Sequence, residues 1–320
     1  MGLTEGETFD GRYRIEAPLG RGGMGEVWRA VDVHDGRAVA LKLLLDKTAR
    51  KPDLVKRFER EARIAESLRS PFVCELVRAG RSPAGELYLV LELLLGESLG
   101  DRLKREGYVA FADLSPIVDD VFEALIAAHR LGVVHRDLKP ANVFLTADAA
   151  GEARAKILDF GISKLLPRGR SGDERSLTSF DATLGSFAYM APEQVRGAAR
   201  ADERADLYAV GALTFRALAG KLPFESGSAA ELVAAKMERD PPRLEEVTGE
   251  RWPAAIEGFL QRSLARRRED RHGTAAEAQA AWRAITSSHR RVLAQVSRGV
   301  ASLEATRTSA TATSAPDDDG

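Results

Sequence analysis

The hydrophobic spacing of this chain changes period near residue 98, and that change limits the folds open to it. Between residues 13 and 90 the apolar residues fall in short β-rich runs. Residues 26–33 and 38–45 are two of them, split by Asp35-Gly36, a hairpin signal. One stretch breaks the pattern: Leu54, Phe58, Ala62, Ala65 and Leu68 recur at helical spacing over 53–69, and Pro71 ends the helix. Strand-like residues 72–80 and 86–91 follow. From residue 98 the spacing is helical, over 98–106, 112–131, 202–219, 229–239, 254–265 and 274–286. Strands with one helix, then helices, predict an α+β chain of two unequal parts. The stretch from 131 to 202 reads mostly as loop, and so long a loop inside a compact domain points to function.

Composition narrows the function classes. The 320 residues are 44% hydrophobic and 30% charged, which excludes a chain disordered throughout and allows two domains or one bilobal domain. Lys plus Arg is 47 against 48 for Asp plus Glu, so no global basic field suits a nucleic acid. Cys74 is the single cysteine, which excludes an intramolecular disulfide and a cysteine-rich zinc site. The longest apolar run, 87–95, is interrupted by Glu92 and falls far short of the ~20 residues of a membrane span. With Glu5, Glu7 and Asp10 near the start and no apolar signal core, the chain reads as cytoplasmic. Residues 1–10 read as an unstructured lead. The Ala/Thr/Ser-rich tail from about 298, ending in three aspartates and Gly320, reads as disordered. Arg outnumbers Lys 37 to 10, so each lysine is easily weighed on its own.

Gly20, Gly22 and Gly25 form G-x-G-x-x-G, a pattern that lets backbone approach phosphate closely. A glycine-rich turn is the plain alternative. A dinucleotide site would need a helix straight after it, yet residues 27–31 continue as strand, so a hairpin lid over a nucleotide fits better. Lys42 lies inside the apolar strand Val39-Ala40-Leu41-Lys42, where a buried ammonium needs an anionic partner. Glu61, in the helix at 53–69, is the candidate, and a snorkelling Lys42 beside a solvated Glu61 is the alternative.

His135-Arg136-Asp137-Leu138-Lys139-Pro140-Ala141-Asn142 follows a long helix; Asp159-Phe160-Gly161 begins 17 residues past Asn142, and Ala191-Pro192-Glu193 ends 34 residues past Asp159. With these motifs in order, the chain resembles the protein kinase family, in its bacterial, eukaryotic-like serine/threonine branch, over roughly 13–285. The resemblance implies a bilobal protein-kinase-like fold, with a small β-rich N-lobe at 13–93 carrying one helix and a mainly helical C-lobe at 94–285. Residues 1–12 form a lead and 286–320 an extension. It implies ATP as phosphoryl donor, with Mg²⁺ or Mn²⁺, and serine or threonine hydroxyls of proteins as acceptors. Leu19, Gly20, Arg21, Gly22, Gly23, Met24, Gly25, Glu26 and Val27 would cover the nucleotide. Ala40 and Phe144 would sandwich the adenine, which would bond hinge backbone at Glu92 and Leu94. Lys42 would hold the α/β-phosphates, oriented by Glu61, and Asn142 and Asp159 would hold the metal through oxygen. Asp137 would take the hydroxyl proton, with Lys139 beside the γ-phosphate.

Other residues read as architecture: His135 as a packed anchor, Phe160 as a packing residue, Glu193 paired with Arg271, Asp206 capping the catalytic loop, and Cys74 as an inert core thiol. Arg136 resembles an arginine that receives a phosphate from the activation segment, where Ser171, Ser176, Thr178, Ser179 and Thr183 offer hydroxyls. The resemblance also implies a homodimer for trans-autophosphorylation. Gly185-Ser186 departs from the family's usual Gly-Thr, keeping the hydroxyl and losing a methyl. Two other classes remain open at this point. A pseudokinase scaffold is opposed by the complete polar set, and a small-molecule kinase by the peptide-platform look of Ala191-Pro192-Glu193 and the helices after it.

Overall fold

In the computed structural model, residues 3–22, 25–44, 52–147, 151, 153–160, 187–197 and 201–288 are described. The first part is a six-stranded antiparallel sheet in the order β1-β2-β3-β4-β6-β5. Its strands are β1 (Thr8–Phe9), β2 (Tyr13–Gly22), β3 (Gly25–Asp32), β4 (Ala38–Leu44), β5 (Leu76–Arg81) and β6 (Leu87–Glu92). Alternation along β4 decides its two faces. Val39, Leu41 and Leu43 pack with Phe9, Tyr13, Ile15, Tyr88 and Val90. Leu44 lies on the other face, where Phe58 of α1 (Pro52–Ser67) packs with Leu76, Leu87 and Leu89. Ala40 and Lys42 share that second face by register, so the lysine points to the side where the chain continues into its second part.

Residues 1–10 read as an unstructured lead, but Thr8–Phe9 form a strand of the sheet. Thr8 and Phe9 pair with Arg14 and Tyr13. Phe9 meets Tyr88 edge-on at 5.2 Å, and the Tyr88 hydroxyl donates to Asp10. A two-residue strand carries too little pattern to be read from sequence; burial of one phenyl ring holds it.

The second part is built on α5 (Arg204–Ala219), in which 13 of 16 residues are buried, so it is a central helix with no solvent face. Gly211 lets α8 (Ala254–Ser263) approach, since a side-chain carbon there would stand 2.7 Å from the Ser263 Cβ. Around α5 and α8 lie α2 (Leu99–Glu106), α3 (Phe111–Arg130), α4 (Pro192–Arg196), α6 (Ala229–Glu238), α7 (Leu244–Thr248) and a helix over 275–288. Ser98 caps α2, its hydroxyl accepting from Asp101 N–H at 3.0 Å. Pro116 inside α3 has no N–H for the Ala112 carbonyl, which accepts from the Ser115 hydroxyl instead.

The segment read as loop contributes β8 (Val143–Ala147) and β9 (Ala153–Ile157) to a second sheet, in which β7 (Glu97–Ser98) from ahead of α2 pairs with β8. Val143, Ala155 and Ile157 join the main core beneath it. No helix among the described residues is long and apolar enough to cross a membrane.

Candidate active site

The glycine motif is a hairpin, as the continuing strand predicted. β2 and β3 pair down to Gly22 opposite Gly25, with register shifts between Ile15 and Ala17 and between Pro18 and Gly20. Gly23 and Met24 lie outside the described residues. The two flanking glycines differ. Gly25 has φ +149°, and a side-chain carbon on it would stand 1.8 Å from the Leu43 carbonyl oxygen, so the sheet itself demands glycine there. A side-chain carbon on Gly20 would meet nothing within 4 Å. Leu19 and Arg21 are exposed, and Arg21 reaches Glu26 across the hairpin at 3.3 Å. Val27 lies opposite Lys42 in the register.

Lys42 is 7% exposed and donates to both carboxylate oxygens of Asp159 at 2.7 Å. That bond joins the first sheet to the segment after β9. Asp159 holds φ +61°, a left-handed conformation unusual for a residue with a side chain. The β8–β9 hairpin brings Asn142 beside Leu158, one residue before Asp159, despite their separation. Val143 pairs with Ile157, and Leu158 N–H donates to the Asn142 carbonyl at 2.9 Å. Glu61 lies on α1, but its side chain lies outside the described residues, so its pairing with Lys42 has no outcome here.

The catalytic-loop segment is held from several sides. Asp206 of α5, 1% exposed, accepts from His135 N–H at 2.9 Å and Arg136 N–H at 2.8 Å. His129 Nε2 stands 2.9 Å from the same carboxylate. Burial pushes the Asp206 carboxyl up, but His129, His135 and the Arg136 N–H together hold it below the usual carboxylate range. His135 accepts Asp137 N–H on Nδ1 at 3.2 Å and sets Nε2 2.9 Å from the Leu158 carbonyl. It also meets Phe160 edge-on at 4.7 Å, so it is the packed anchor the sequence suggested. Lys139 donates to the Asp137 carboxylate at 3.0 Å, and Asn142 Nδ2 donates to the Asp137 carbonyl at 2.7 Å. The amide oxygen of Asn142 is then its remaining acceptor.

Ala40 is buried on β4 and Phe144 half-buried on β8. Glu92 and Leu94 sit where the two parts join. The Glu92 N–H is bonded to the Glu75 carbonyl, and its carboxylate engages Lys156 at 2.6 and 2.8 Å. Cys74 lies alongside, its sulfur 3.9 Å from the Glu92 carbonyl. Burial, then the Glu92 and Asp159 charges, push its thiol up to about 12, which agrees with an inert cysteine. Glu193 and Arg271 form the expected bidentate pair at 2.7 and 2.9 Å. Gly161, the candidate hydroxyls at 171–183, and Gly185-Ser186 lie outside the described residues.

Sequence reasoning missed His129, Gln194 and Lys156. Gln194 accepts Ala191 N–H and donates to the Arg136 carbonyl at 2.9 Å, tying α4 to the catalytic loop. These are contacts between distant segments, and no local spacing announces them. Lys236 was also missed, although a lysine inside Leu232-Val233-Ala234-Ala235-Lys236 gives the signal that drew attention to Lys42.

A strand-rich lobe, a helical lobe and an Asp137–Lys139–Asn142 cluster meeting Asp159 define a protein kinase domain. The protein kinase domain family matches residues 13–283. The chain is 35% identical over 288 residues to the serine/threonine-protein kinase pkn3 of Myxococcus xanthus, covering 90% of this chain and 52% of that protein. It is 37% identical over 241 residues to serine/threonine-protein kinase PknA of Mycobacterium tuberculosis, covering 74% of this chain and 53% of PknA. Among solved structures, the kinase domain of Mycobacterium tuberculosis PknI has a TM-score of 0.67 at 27% identity, over 88% of this chain and 99% of that one. The chain spans about half the length of these curated relatives. It belongs to the protein kinase family, in its bacterial, eukaryotic-like serine/threonine branch.

Proposed function

We propose that this chain transfers the γ-phosphoryl group of ATP to serine and threonine hydroxyls of proteins, itself included. The observation that carries this is the Asn142 clamp. Its side chain fixes the Asp137 backbone while its main-chain carbonyl fixes Leu158, the residue before Asp159, so one residue ties both segments. Asp137 accepts the hydroxyl proton and aims the oxygen, and Lys139 neutralises charge on the transferring group. Lys42 exchanges its bond to Asp159 for the α/β-phosphates, freeing the carboxylate. Asn142 and Asp159 offer two oxygen donors, a set that fits Mg²⁺, which keeps several of its waters. Bound there, the metal would neutralise the β- and γ-phosphate oxygens. Packing does not require glycine at position 20, whereas a closely approaching phosphate does. Ala40 and Phe144 enclose the adenine, and Glu92 and Leu94 offer it backbone groups.

Radiolabelled ATP with a generic basic protein tests the reading. Asp137→Asn lowers transfer by at least ~10²-fold, and EDTA abolishes transfer until Mg²⁺ or Mn²⁺ is restored. Unchanged transfer in either arm contradicts it. Phosphate between residues 171 and 183 in wild type after incubation with ATP, and none in Asp137→Asn, is the expected mass-spectrometric result for self-phosphorylation. Lys236 and residues 187–194 bear on how the protein acceptor is presented.

A further inference from the structure

Lys236 enters the interior from α6 and is 2% exposed, a costly place for an ammonium. Its three protons meet three carbonyl oxygens, those of Phe187 at 2.8 Å, Ala188 at 2.7 Å and Met190 at 2.7 Å. The Tyr208 ring lies 5.1 Å from the same nitrogen. Leu232 and Ala235 of α6 pack with Ala188 and Phe224, so residues 187–190 are docked on α6 by one apolar cluster and one charge. Tyr189, Met190 and Gln194 also lie against Arg136, Asp137 and Leu138 of the catalytic loop, with Gln194 Nε2 donating to the Arg136 carbonyl at 2.9 Å. None of the phosphate- or metal-directed roles above uses Lys236.

We propose that Lys236 is a positioning residue for the protein acceptor: its ammonium sets the path of residues 187–190 against the catalytic loop, and so where a hydroxyl is presented to Asp137. This rests on the kinase reading and deepens it. A neutral amine has two protons and cannot serve three carbonyls, and a methionine has none. Burial and then the Arg271 guanidinium push the Lys236 ammonium down to about 7, while the three carbonyls favour its charged form. The charged and titratable groups around it are few. Arg271 lies over the Tyr208 ring at 4.9 Å and is paired with Glu193. Burial raises both neighbouring phenols, Tyr189 to about 12 and Tyr208 further. Glu231 and Glu238 of α6 itself are exposed.

The test measures three quantities on the full chain: phosphorylation of a generic basic protein, ATP hydrolysis without acceptor, and affinity for a fluorescent nucleotide. In Lys236→Met, kcat/KM for the acceptor falls roughly tenfold or more, through its KM, because a displaced platform misplaces the hydroxyl. Nucleotide affinity stays within roughly twofold, since that binding is left intact. In wild type the ratio of protein phosphorylation to ATP hydrolysis falls as pH rises from about 6 to about 10, the range in which a lysine lowered from its ordinary value loses its proton. In the variant the ratio stays level. An unchanged acceptor kcat/KM overturns the proposal, as does a nucleotide affinity lost in step with turnover. If Lys236→Met does not fold, the wild-type pH profile decides, and a level ratio overturns the proposal. A wild type that phosphorylates no protein overturns the kinase reading itself, and the two failures are thereby told apart.

Discussion

The catalytic loop at 135–142 and the glycine hairpin at 19–27 bound the same site, yet buried hydrogen bonds hold the first while strand pairing holds the second. Asp206 fixes two successive N–H groups of the loop, His135 fixes a third, and Asn142 fixes a carbonyl. The two Asp206 contacts lead into the helical core, and the other two brace the loop from within. The hairpin has its register with β4, the close approach at Gly25, and an Arg21–Glu26 pair at the surface. Such an exposed pair contributes about 0–1 kcal/mol. On the proposed reading, acceptor chemistry is thus built on a buried, hydrogen-bonded frame, while the nucleotide meets a strand-paired hairpin. Lys42–Asp159 joins β4, the strand paired with the hairpin, to the segment that Asn142 holds through Leu158.

Breaking that bond gives the largest expected effect. Lys42→Met lowers phosphoryl transfer by at least ~10²-fold, because a positioned charge on the phosphates is lost. The protein stays folded, since the substitution leaves the hydrophobic clusters on the two sheet faces and in the helical part in place. Transfer within roughly threefold of wild type would show that the lid side contributes little beyond cover.

The frame side is tested at Asp206. Asp206→Asn keeps one oxygen acceptor and loses the other, leaving a buried donor unmet at a cost of about 1–3 kcal/mol. Urea unfolding measures it. The wild-type carboxyl is held below its unfolded value, so the folded state binds fewer protons through that interval. Its stabilisation is complete above the ordinary carboxylate value of about 3.9 and is lost as pH falls through the lower folded value. The variant should therefore show a shallower loss of stability in acid. Equal slopes would mean that Asp206 supplies shape and not charge.

The same contrast governs what the sequence disclosed. Asp137, Lys139 and Asn142 are legible because they stand in one short motif, residues 135–142, that resembles the protein kinase catalytic loop. Lys42 is legible because charge inside an apolar strand is conspicuous. The hairpin of Val143–Ala147 and Ala153–Ile157 is not, because five-residue strands owe their order to what lies under them. Here Asp120 of α3 accepts Ala155 N–H at 2.9 Å, a contact 35 residues distant. Thr8–Phe9 escaped for the same reason. His129 and Gln194 serve the loop from other elements, and only the folded chain brings them there.

Two glycine substitutions sharpen the lid side. Gly25→Ala drives a carbon into the Leu43 carbonyl at a strained φ and costs about 1–3 kcal/mol in unfolding experiments. Gly20→Ala meets no protein atom and leaves the thermal midpoint in place, while raising KM for ATP several-fold. If both variants lose stability equally, the distinction between a glycine required by the sheet and one required by a ligand fails.

The smallest expected effect lies at the hinge, where frame and lid meet. The Cys74 thiol is pushed up to about 12, so at pH 8 its thiolate fraction is about 10⁻⁴, against roughly a quarter for a free cysteine of pKa ~8.5. A more basic thiolate is a better nucleophile, by about 0.4–0.5 logarithmic units per pKa unit, which recovers part of that deficit. The net expectation is alkylation by iodoacetamide roughly 10²-fold slower than for a free thiol. Mass spectrometry over time measures the rate, and activity serves as the control. Lys42→Met should hardly change it, because burial leads the causes at Cys74 and the Glu92 charge comes next. Rapid alkylation in Lys42→Met alone would show that Lys42–Asp159 also keeps the hinge closed. That result would move the boundary between the buried frame and the strand-paired hairpin into the join itself.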